Sequence, residues 1–350
     1  MRILHLLFSS RLAGSERYCA DLANRQAAEG HEVHVVGATG SPLAPALAPG
    51  ILFHGFNRFL RDLRVRRLLD GIAPDICHGH LSAACKILGR ASSRHRTVAT
   101  LHVGYKPHQH DRLDGLICVN RSQTALLSRY QGMTRTIPNW LPHAENDLAS
   151  VGLREELGLT DDVFLMGAVG RLHASKGMDV LIAAFRASAP ANAVLAILGE
   201  GPQRPELEKL CAGDDRVRLL GFRANVSACL QDLDLFISPS REESFGLAIV
   251  EAMSAGLPII ATAAEGPAEY LRDQPVTLVP VGSVDALAAA IAEMSAKARA
   301  DGLPHIGYDL SLFEPAARLE NITDFYANII GAKQHRDARL GDRIVVPAAS

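Results

Sequence analysis

Two segments of the 350-residue chain combine charge and glycine at spacings that could hold an anion. In Gly170-Arg171-Leu172-His173-Ala174-Ser175-Lys176-Gly177, Arg171 offers a planar fork and Lys176 a mobile point charge, a combination suited to a diphosphate. The second segment, Ser238 to Ala252, follows an apolar run at Leu235 to Ser238. It is expected to enter a helix near Ser244 or Gly246 that stops at Gly256-Leu257-Pro258. The first N–H groups of such a helix are unpaired and sit at the positive end of its dipole, which makes a phosphate site, and Gly246 would let the backbone approach a ligand closely. Glu243 and Glu251, eight residues apart, would be separated by roughly 12 Å along a helix. A retaining glycosidase needs about 5 Å between its carboxyls and an inverting one about 6.5 to 9.5 Å, so hydroxyl-binding groups at the two ends of one long ligand fit better. The bland alternative makes Glu243 a helix-terminal charge, Glu251 a satisfied structural carboxylate and the two basic residues a solvated loop.

The first half of the chain offers fewer such groups. Gly14, at the expected start of a helix after the run Ile3 to Phe8, could admit a phosphate or an acceptor hydroxyl, with Ser15 and Arg17 beside it. No G-x-G-x-x-G occurs there, which counts against NAD. His78 and His80 with Cys77 would be a metal set only if they converged. We expect the two histidines to face opposite sides of their strand, and no carboxylate follows closely, so no metal is expected and His80 is read as a cleft-lining residue. Asp232-Leu233-Asp234 leads into the strand at Leu235 and reads as a turn. Phe56 to Leu69 places apolar residues at 56, 59, 60 and 63 among arginines. Such a basic amphipathic helix suits an anionic membrane surface, or equally a helix packed on a sheet with its basic face solvated. Nucleic acid fits less well, because the basic excess has no aromatic interleaving and the chain has one tryptophan.

The elements that must position these residues are short apolar runs alternating with helical patterns. The runs are Ile3 to Phe8, Val33 to Gly37, Ile76 to His78, Val98 to Leu101, Leu116 to Val119, Phe164 to Val169, Val194 to Leu198, Val217 to Leu220, Leu235 to Ser238, Ile259 to Thr262 and Val276 to Val279. Ala20 to Glu29, closed by Gly30, and Val180 to Ala187 read as intervening helices. This alternation predicts an α/β fold with a doubly wound parallel sheet in each half. Pro138-Asn139-Trp140-Leu141-Pro142 breaks the pattern where the charge changes sign. Residues 1–145 hold 18 Lys and Arg against 10 Asp and Glu, a net +8, and the remainder 18 against 28, a net −10. We therefore expect one domain over 1–145, a second over 146–310, a helix over 311–332 that packs on a core surface, with that of the first domain as the candidate, and a loose tail over 333–350. The basic first half is the candidate for meeting an anionic partner. A composition of 48% hydrophobic and 21% charged residues excludes general disorder, and no apolar stretch is long enough to span a membrane. With no signal peptide, the expected location is the cytoplasm, or peripherally the inner face of a membrane. The six cysteines, without C-x-x-C spacing, are expected to be buried small hydrophobes.

Taken together, Gly170 to Gly177 and Glu243 to Glu251 resemble the G-R-L-x-x-x-K-G and E-x7-E motifs of glycosyltransferase family 4, retaining enzymes of GT-B fold that use nucleotide-sugar donors. Ala13-Gly14-Ser15-Glu16-Arg17 followed by Gly30-His31-Glu32-Val33 is similar to that family's opening loop and first helix, and Ile137-Pro138-Asn139 to its inter-domain segment. Gly199-Glu200-Gly201-Pro202, Leu220-Gly221-Phe222 and Glu265-Gly266-Pro267-Ala268-Glu269 follow in the family's order. The resemblance implies a GT-B-like arrangement of two Rossmann-like domains facing across a cleft, the first binding acceptor and the second donor. It implies that Arg171 and Lys176 neutralise the donor diphosphate, as electrostatic catalysis of a departing phosphate requires. Glu251 would bind ribose hydroxyls and Glu243 sugar hydroxyls. Gly14, Gly170, Ser244, Phe245, Gly246 and Leu247 would line the donor, with Gly221 and Phe222 beside the base. His102 resembles the family's active-site histidine, which contacts the transferred sugar; the alternative is a loop histidine without a ligand.

These readings converge on a retaining glycosyltransferase without a cofactor or metal. It would use a UDP- or GDP-sugar as co-substrate and a glycan or glycolipid acceptor held near Ser15, Arg17 and His80, in surface polysaccharide or lipopolysaccharide assembly. A nucleotide-sugar epimerase or phosphorylase, and a noncatalytic sugar-nucleotide-binding subunit, remain the alternatives.

Overall fold

The apolar runs assemble into two separate all-parallel sheets. The computed structural model describes residues 1–141 and 152–342, with side chains described as far as residue 332. The chain divides into two compact units, one made of the described parts of Met1–Pro142 and Glu314–Ser350, the other of those of His143–Phe313.

In the first unit the strands are β1 (Arg2–Leu7), β2 (Glu32–Ala38), β3 (Leu52–Phe56), β4 (Ile76–His80), β5 (Thr97–Leu101), β6 (Gly115–Cys118) and β7 (Met133–Thr136). They lie in the order β3-β2-β1-β4-β5-β6-β7. Alternate residues of β1 serve opposite faces, as the pleat requires. Ile3 packs with Ile76, Val98 and Ile117 under Tyr18 and Leu22 of the Gly14–Ala28 helix and under Leu319, Ile322, Phe325 and Ile329. Leu4 and Leu6 pack on the other face with Cys77, Ala99 and Leu116, under Val65, Leu69, Ile87 and Leu88. The edge strands β3 and β7 are absent from the apolar runs of the sequence. As edges they bury little, so Leu-Phe-His-Gly-Phe and Met-Thr-Arg-Thr need no apolar run. Phe56, expected to open an amphipathic helix, instead ends β3. That helix begins at Arg61, after Leu60 adopts a left-handed φ of +50°.

The second unit holds β8 (Phe164–Val169), β9 (Ala193–Leu198), β10 (Val217–Gly221), β11 (Leu235–Ser238), β12 (Ile259–Thr262) and β13 (Thr277–Val279), in the order β10-β9-β8-β11-β12-β13. Its core gathers Leu195, Ile197, Leu235, Ile237 and Ile260 with Leu181 and Phe185 of the Met178–Ser188 helix and Leu287 and Ile291 of the Val284–Asp301 helix. Strand order reverses between β1 and β4 and again between β8 and β11, the two places where such sheets bind ligands at their carboxyl edges.

The last helix departs from expectation at both ends. It starts at Pro315, after a short 3-10 turn at Ser311–Phe313, and runs to Asp342 rather than stopping near residue 332. The residues expected to be loose are helical to 342 because Lys, Gln, Ala, Arg and Leu are good helix formers even without an apolar stripe. Residues 343–350 of the expected tail, and 142–151 around the expected domain boundary, lie outside the described residues. No described helix is long and apolar enough to cross a membrane. Five of the six free cysteines are buried and Cys211 is half-buried.

Candidate active site

In the second unit, both anion-binding candidates fall at the reversal between β8 and β11. The loop Gly170 to Gly177 leaves β8, and the segment from Pro239 to Gly246 leaves β11. The two are tied together by backbone and side chain. The amides of Arg241 and Glu242 both donate to the Ser175 carbonyl, at 2.8 and 2.9 Å. The Arg241 guanidinium donates to the Ala174 carbonyl at 2.9 Å and to both carboxylate oxygens of Asp179, at 2.8 and 2.7 Å. Those hydrogen bonds hold the Asp179 carboxyl below its ordinary range. Glycine permits the contact: at Gly177, with φ of +64°, a Cβ would stand 2.1 Å from the Pro239 carbonyl oxygen. Likewise a Cβ on Gly266 would meet the Ser244 carbonyl oxygen at 2.1 Å, while the Gly266 amide donates to the Glu243 carbonyl.

Lys176 Nζ forms an ion pair with the Glu243 carboxylate, and both side chains are largely buried. Glu243 precedes the helix, which spans Leu247–Ser254 with Gly246 as its left-handed N-cap. The helical separation of roughly 12 Å expected between Glu243 and Glu251 therefore does not apply. Only Glu251 is helical, and it is buried. Phe245 is buried against Tyr270 and Phe313, and its carbonyl accepts a 2.7 Å hydrogen bond from the Tyr270 hydroxyl. Arg171 is exposed, with no side-chain partner among the described residues. Gly221 closes β10 on the same edge, accepting from the Gly199 amide at 2.7 Å, and Phe222 beyond it is 59% exposed. Asp232 and Asp234 are structural. Arg154 pairs with Asp234 at 2.6 Å and donates to the Asp232 carbonyl, and Asp234 also accepts the Leu165 amide.

In the first unit, Gly14 opens the Gly14–Ala28 helix and is exposed, with Ser15 and Arg17 half-buried beside it. Glu16 turns back to accept from the Ala13 amide at 3.1 Å and from the Ser15 hydroxyl at 3.0 Å, so a carboxylate already occupies part of this helix start.

The histidines correct two expectations. Residues two apart in a strand share a face, and the rings of His78 and His80 lie 4.2 Å apart on one side of β4, converging with His5 of β1. A cation there would need their lone pairs, yet both ring nitrogens of each histidine are already in hydrogen bonds. His5 meets Gln26 and His80, His78 meets Tyr326 and Thr100, and His80 meets His5 and His102. His80 is also wholly buried, so it cannot line a binding surface or touch an acceptor. His102, just beyond β5, is half-buried and carries the edge of the Tyr18 ring at 5.0 Å. Burial pushes His5 and His102 down to about 4 and His78 and His80 well below the ordinary histidine range, so all four are neutral at pH 7.

The site at the β8/β11 reversal thus pairs a cation-bearing loop with a glycine-capped helix start and two acidic residues. Residues 12–145 match the family described as Glycosyltransferase Family 4, and residues 164–297 match that described as Glycosyl transferases group 1. The chain belongs to glycosyltransferase family 4. This glycosyltransferase is 27% identical over 307 residues to the lipopolysaccharide core biosynthesis glycosyltransferase LpsD of Rhizobium meliloti, spanning 83% of this chain and 87% of that one. Its fold is of GT-B type. It superposes on a glycosyltransferase from Rickettsia africae with a TM-score of 0.77 at 18% identity, over 94% of this chain and 98% of that one. It also superposes on Anabaena HepE, solved in complex with UDP-glucose, with a TM-score of 0.70 at 21% identity, over 97% and 99% of the two chains.

Four residues of this arrangement had no motif of their own in the sequence. Arg241 and Asp179 are 62 positions apart, and their pairing becomes visible only once β8 and β11 are neighbours. Gln26 and His5 emerge only from the register that sets His5 beside His78. The same-face rule for alternate strand residues was the available signal for His78 and His80.

Proposed function

We propose that this glycosyltransferase is a retaining enzyme that moves a sugar from a nucleoside-diphosphate donor to a hydroxyl of a glycan or glycolipid. The single observation that carries this reading is the Lys176–Glu243 pair beside exposed Arg171 and the Gly246-capped helix start. A diphosphate placed there would take Lys176 from Glu243 and gain the Arg171 fork and the first N–H groups of the helix. Glu243, released, would accept sugar hydroxyls, while Glu251 would bind the ribose and Gly221 and Phe222 would flank the base. Arg171 and Lys176 would then hold negative charge as it develops on the departing diphosphate, the interaction that grows toward the transition state. With Glu243 occupied by the sugar hydroxyls, a covalent glycosyl intermediate is not part of this reading. The leaving diphosphate instead assists substitution from the same face of the sugar.

In this reading the second unit binds donor, and the first binds acceptor near Ser15 and Arg17, with His102 meeting a sugar hydroxyl. The likeness to LpsD supports lipopolysaccharide core or related surface-glycan assembly as the setting, and the HepE complex supports a UDP-sugar over a GDP-sugar. A cytoplasmic enzyme peripheral to an anionic membrane surface suits such an acceptor.

The test is a thermal-shift panel of UDP, GDP, ADP, CMP and NAD with EDTA present, run on the unmodified chain and on Lys176→Ala. Stabilisation by one nucleoside diphosphate that is lost in the variant supports the donor site and names the base. Equal shifts in both proteins remove Lys176 from the site. Orthophosphate-dependent activity, or donor conversion without acceptor, would instead indicate a phosphorylase or an epimerase.

A further inference from the structure

We propose that Gln26, His5 and His80 form a hydrogen-bonded relay that holds His102 as its Nε2–H tautomer, so that the bare Nδ1 is the atom presented to a sugar hydroxyl. The presentation to sugar rests on the functional reading above; the relay itself rests on geometry. His5 Nε2 lies 2.7 Å from the Gln26 carbonyl oxygen, His5 Nδ1 lies 3.1 Å from His80 Nε2, and His80 Nδ1 lies 3.0 Å from His102 Nε2. A carbonyl oxygen only accepts, so His5 carries its proton on Nε2. A neutral imidazole has one donor and one acceptor, so His5 Nδ1 accepts and His80 must donate from Nε2. The same step repeats once: His80 Nδ1 accepts, His102 donates from Nε2, and His102 Nδ1 is left as a lone pair.

The surroundings make each link of the relay obligatory but do not set its direction, and the Gln26 Nε2 group is itself buried without a partner. His5, His80 and Gln26 are all wholly buried, where an imidazole without partners costs far more than an apolar side chain of similar size. The neighbouring His78 does not compete for the relay, because Tyr326 and Thr100 take both its nitrogens. Ring contacts of 5.4 Å between His5 and His80 and 5.3 Å between His80 and His102 stack the three rings. The polarity is set at Gln26, whose amide here turns its oxygen to His5. The reversed amide would reverse every proton in the relay and leave His102 with Nδ1–H. Gln26, His5 and His80 are therefore positioning residues, and His102 is the group that meets substrate.

The direct measurement is the histidine tautomer. In the full chain labelled with nitrogen-15 at histidine, long-range proton–nitrogen spectra at pH 7 should show His102 bare at Nδ1 and protonated at Nε2. A protonated Nδ1, or a mixture of tautomers, overturns the relay whatever the enzyme transfers. Gln26→Met should mix the tautomers and lower kcat/KM about tenfold through misorientation. Gln26→Glu, which keeps an acceptor oxygen, should restore most of the loss. Turnover in Gln26→Met equal to that of the unmodified enzyme overturns the positioning role. Nucleotide-induced thermal shift reads the second unit and is expected to be unchanged in Gln26→Met. Its absence from the unmodified chain would count against the donor reading and leave the tautomer result standing.

Discussion

Arg241 grips Asp179 through two nitrogens, at 2.8 and 2.7 Å, and so ties the loop leaving β11 to the helix that follows β8. Neither residue belongs to the motifs that mark the donor site, yet the pair sets the distance between them.

Arg241→Ala should therefore weaken nucleotide binding more than it weakens the fold. We expect a stability loss of about 1 kcal/mol, as for a partly exposed ion pair, and a rise of roughly tenfold in the donor KM. Arg241→Lys should not rescue binding, since one ammonium cannot replace a bidentate fork. Donor titration calorimetry on the three proteins checks this, and unaltered affinity in Arg241→Ala would refute the bracing role.

Gly266→Ala probes the other side of the site. Its added methyl would stand 2.1 Å from the Ser244 carbonyl oxygen, so the segment carrying Glu243 must shift. Activity should fall at least tenfold, while urea unfolding shows a loss of about 1 to 3 kcal/mol. A variant as active as the parent would mean that the Glu243 segment tolerates displacement.

The neutral histidines predict a pH dependence of stability. His5 titrates at about 4 in the folded chain, against an ordinary value of 6.5, so the unfolded chain binds more protons between those values. Stability should be flat above pH 6.5 and should fall as pH drops toward 4, by about 3 kcal/mol from His5 alone. His102 adds to the same window. Urea midpoints at pH 7, 6 and 5 separate this from carboxylate effects, which lie lower. An unchanged midpoint across those three values would contradict it.

A surface prediction concerns the segment before and within the Arg61–Ile72 helix. Phe59, Leu60 and Leu63 are 74%, 56% and 37% exposed, with Arg58, Arg64, Arg66 and Arg67 exposed around them. Vesicles containing anionic lipid should sediment the protein in a salt-sensitive way, each arginine contributing on the order of 1 kcal/mol. Phe59→Ser with Leu63→Ser should reduce that binding several-fold. Equal binding to neutral vesicles would argue against the basic surface.

Most strands of both sheets were legible because central parallel strands must be apolar on both faces, as Leu4 and Ile197 are. The edge strands β3 and β7 were hidden because burial there is too slight to shape the sequence. Lys176 and Glu243 could be singled out by type and spacing, but their contact could not, since it depends on which strands become neighbours. His80 departs from expectation for a different reason: residues two apart in a strand share a face, so it turns inward beside His78.

The contact between His78 and Tyr326 joins residues 248 positions apart. The second unit is continuous in sequence and can complete its core while the chain is still being synthesised. The first cannot, because Phe325, Tyr326 and Ile329 supply part of the core beneath its sheet. Its nascent sheet must wait on the ribosome with part of one apolar face uncovered beside the Gly14–Ala28 helix, a long-range closure of the kind that slows folding and invites aggregation. Premature termination anywhere before residue 315 would consequently damage the half of the protein made first.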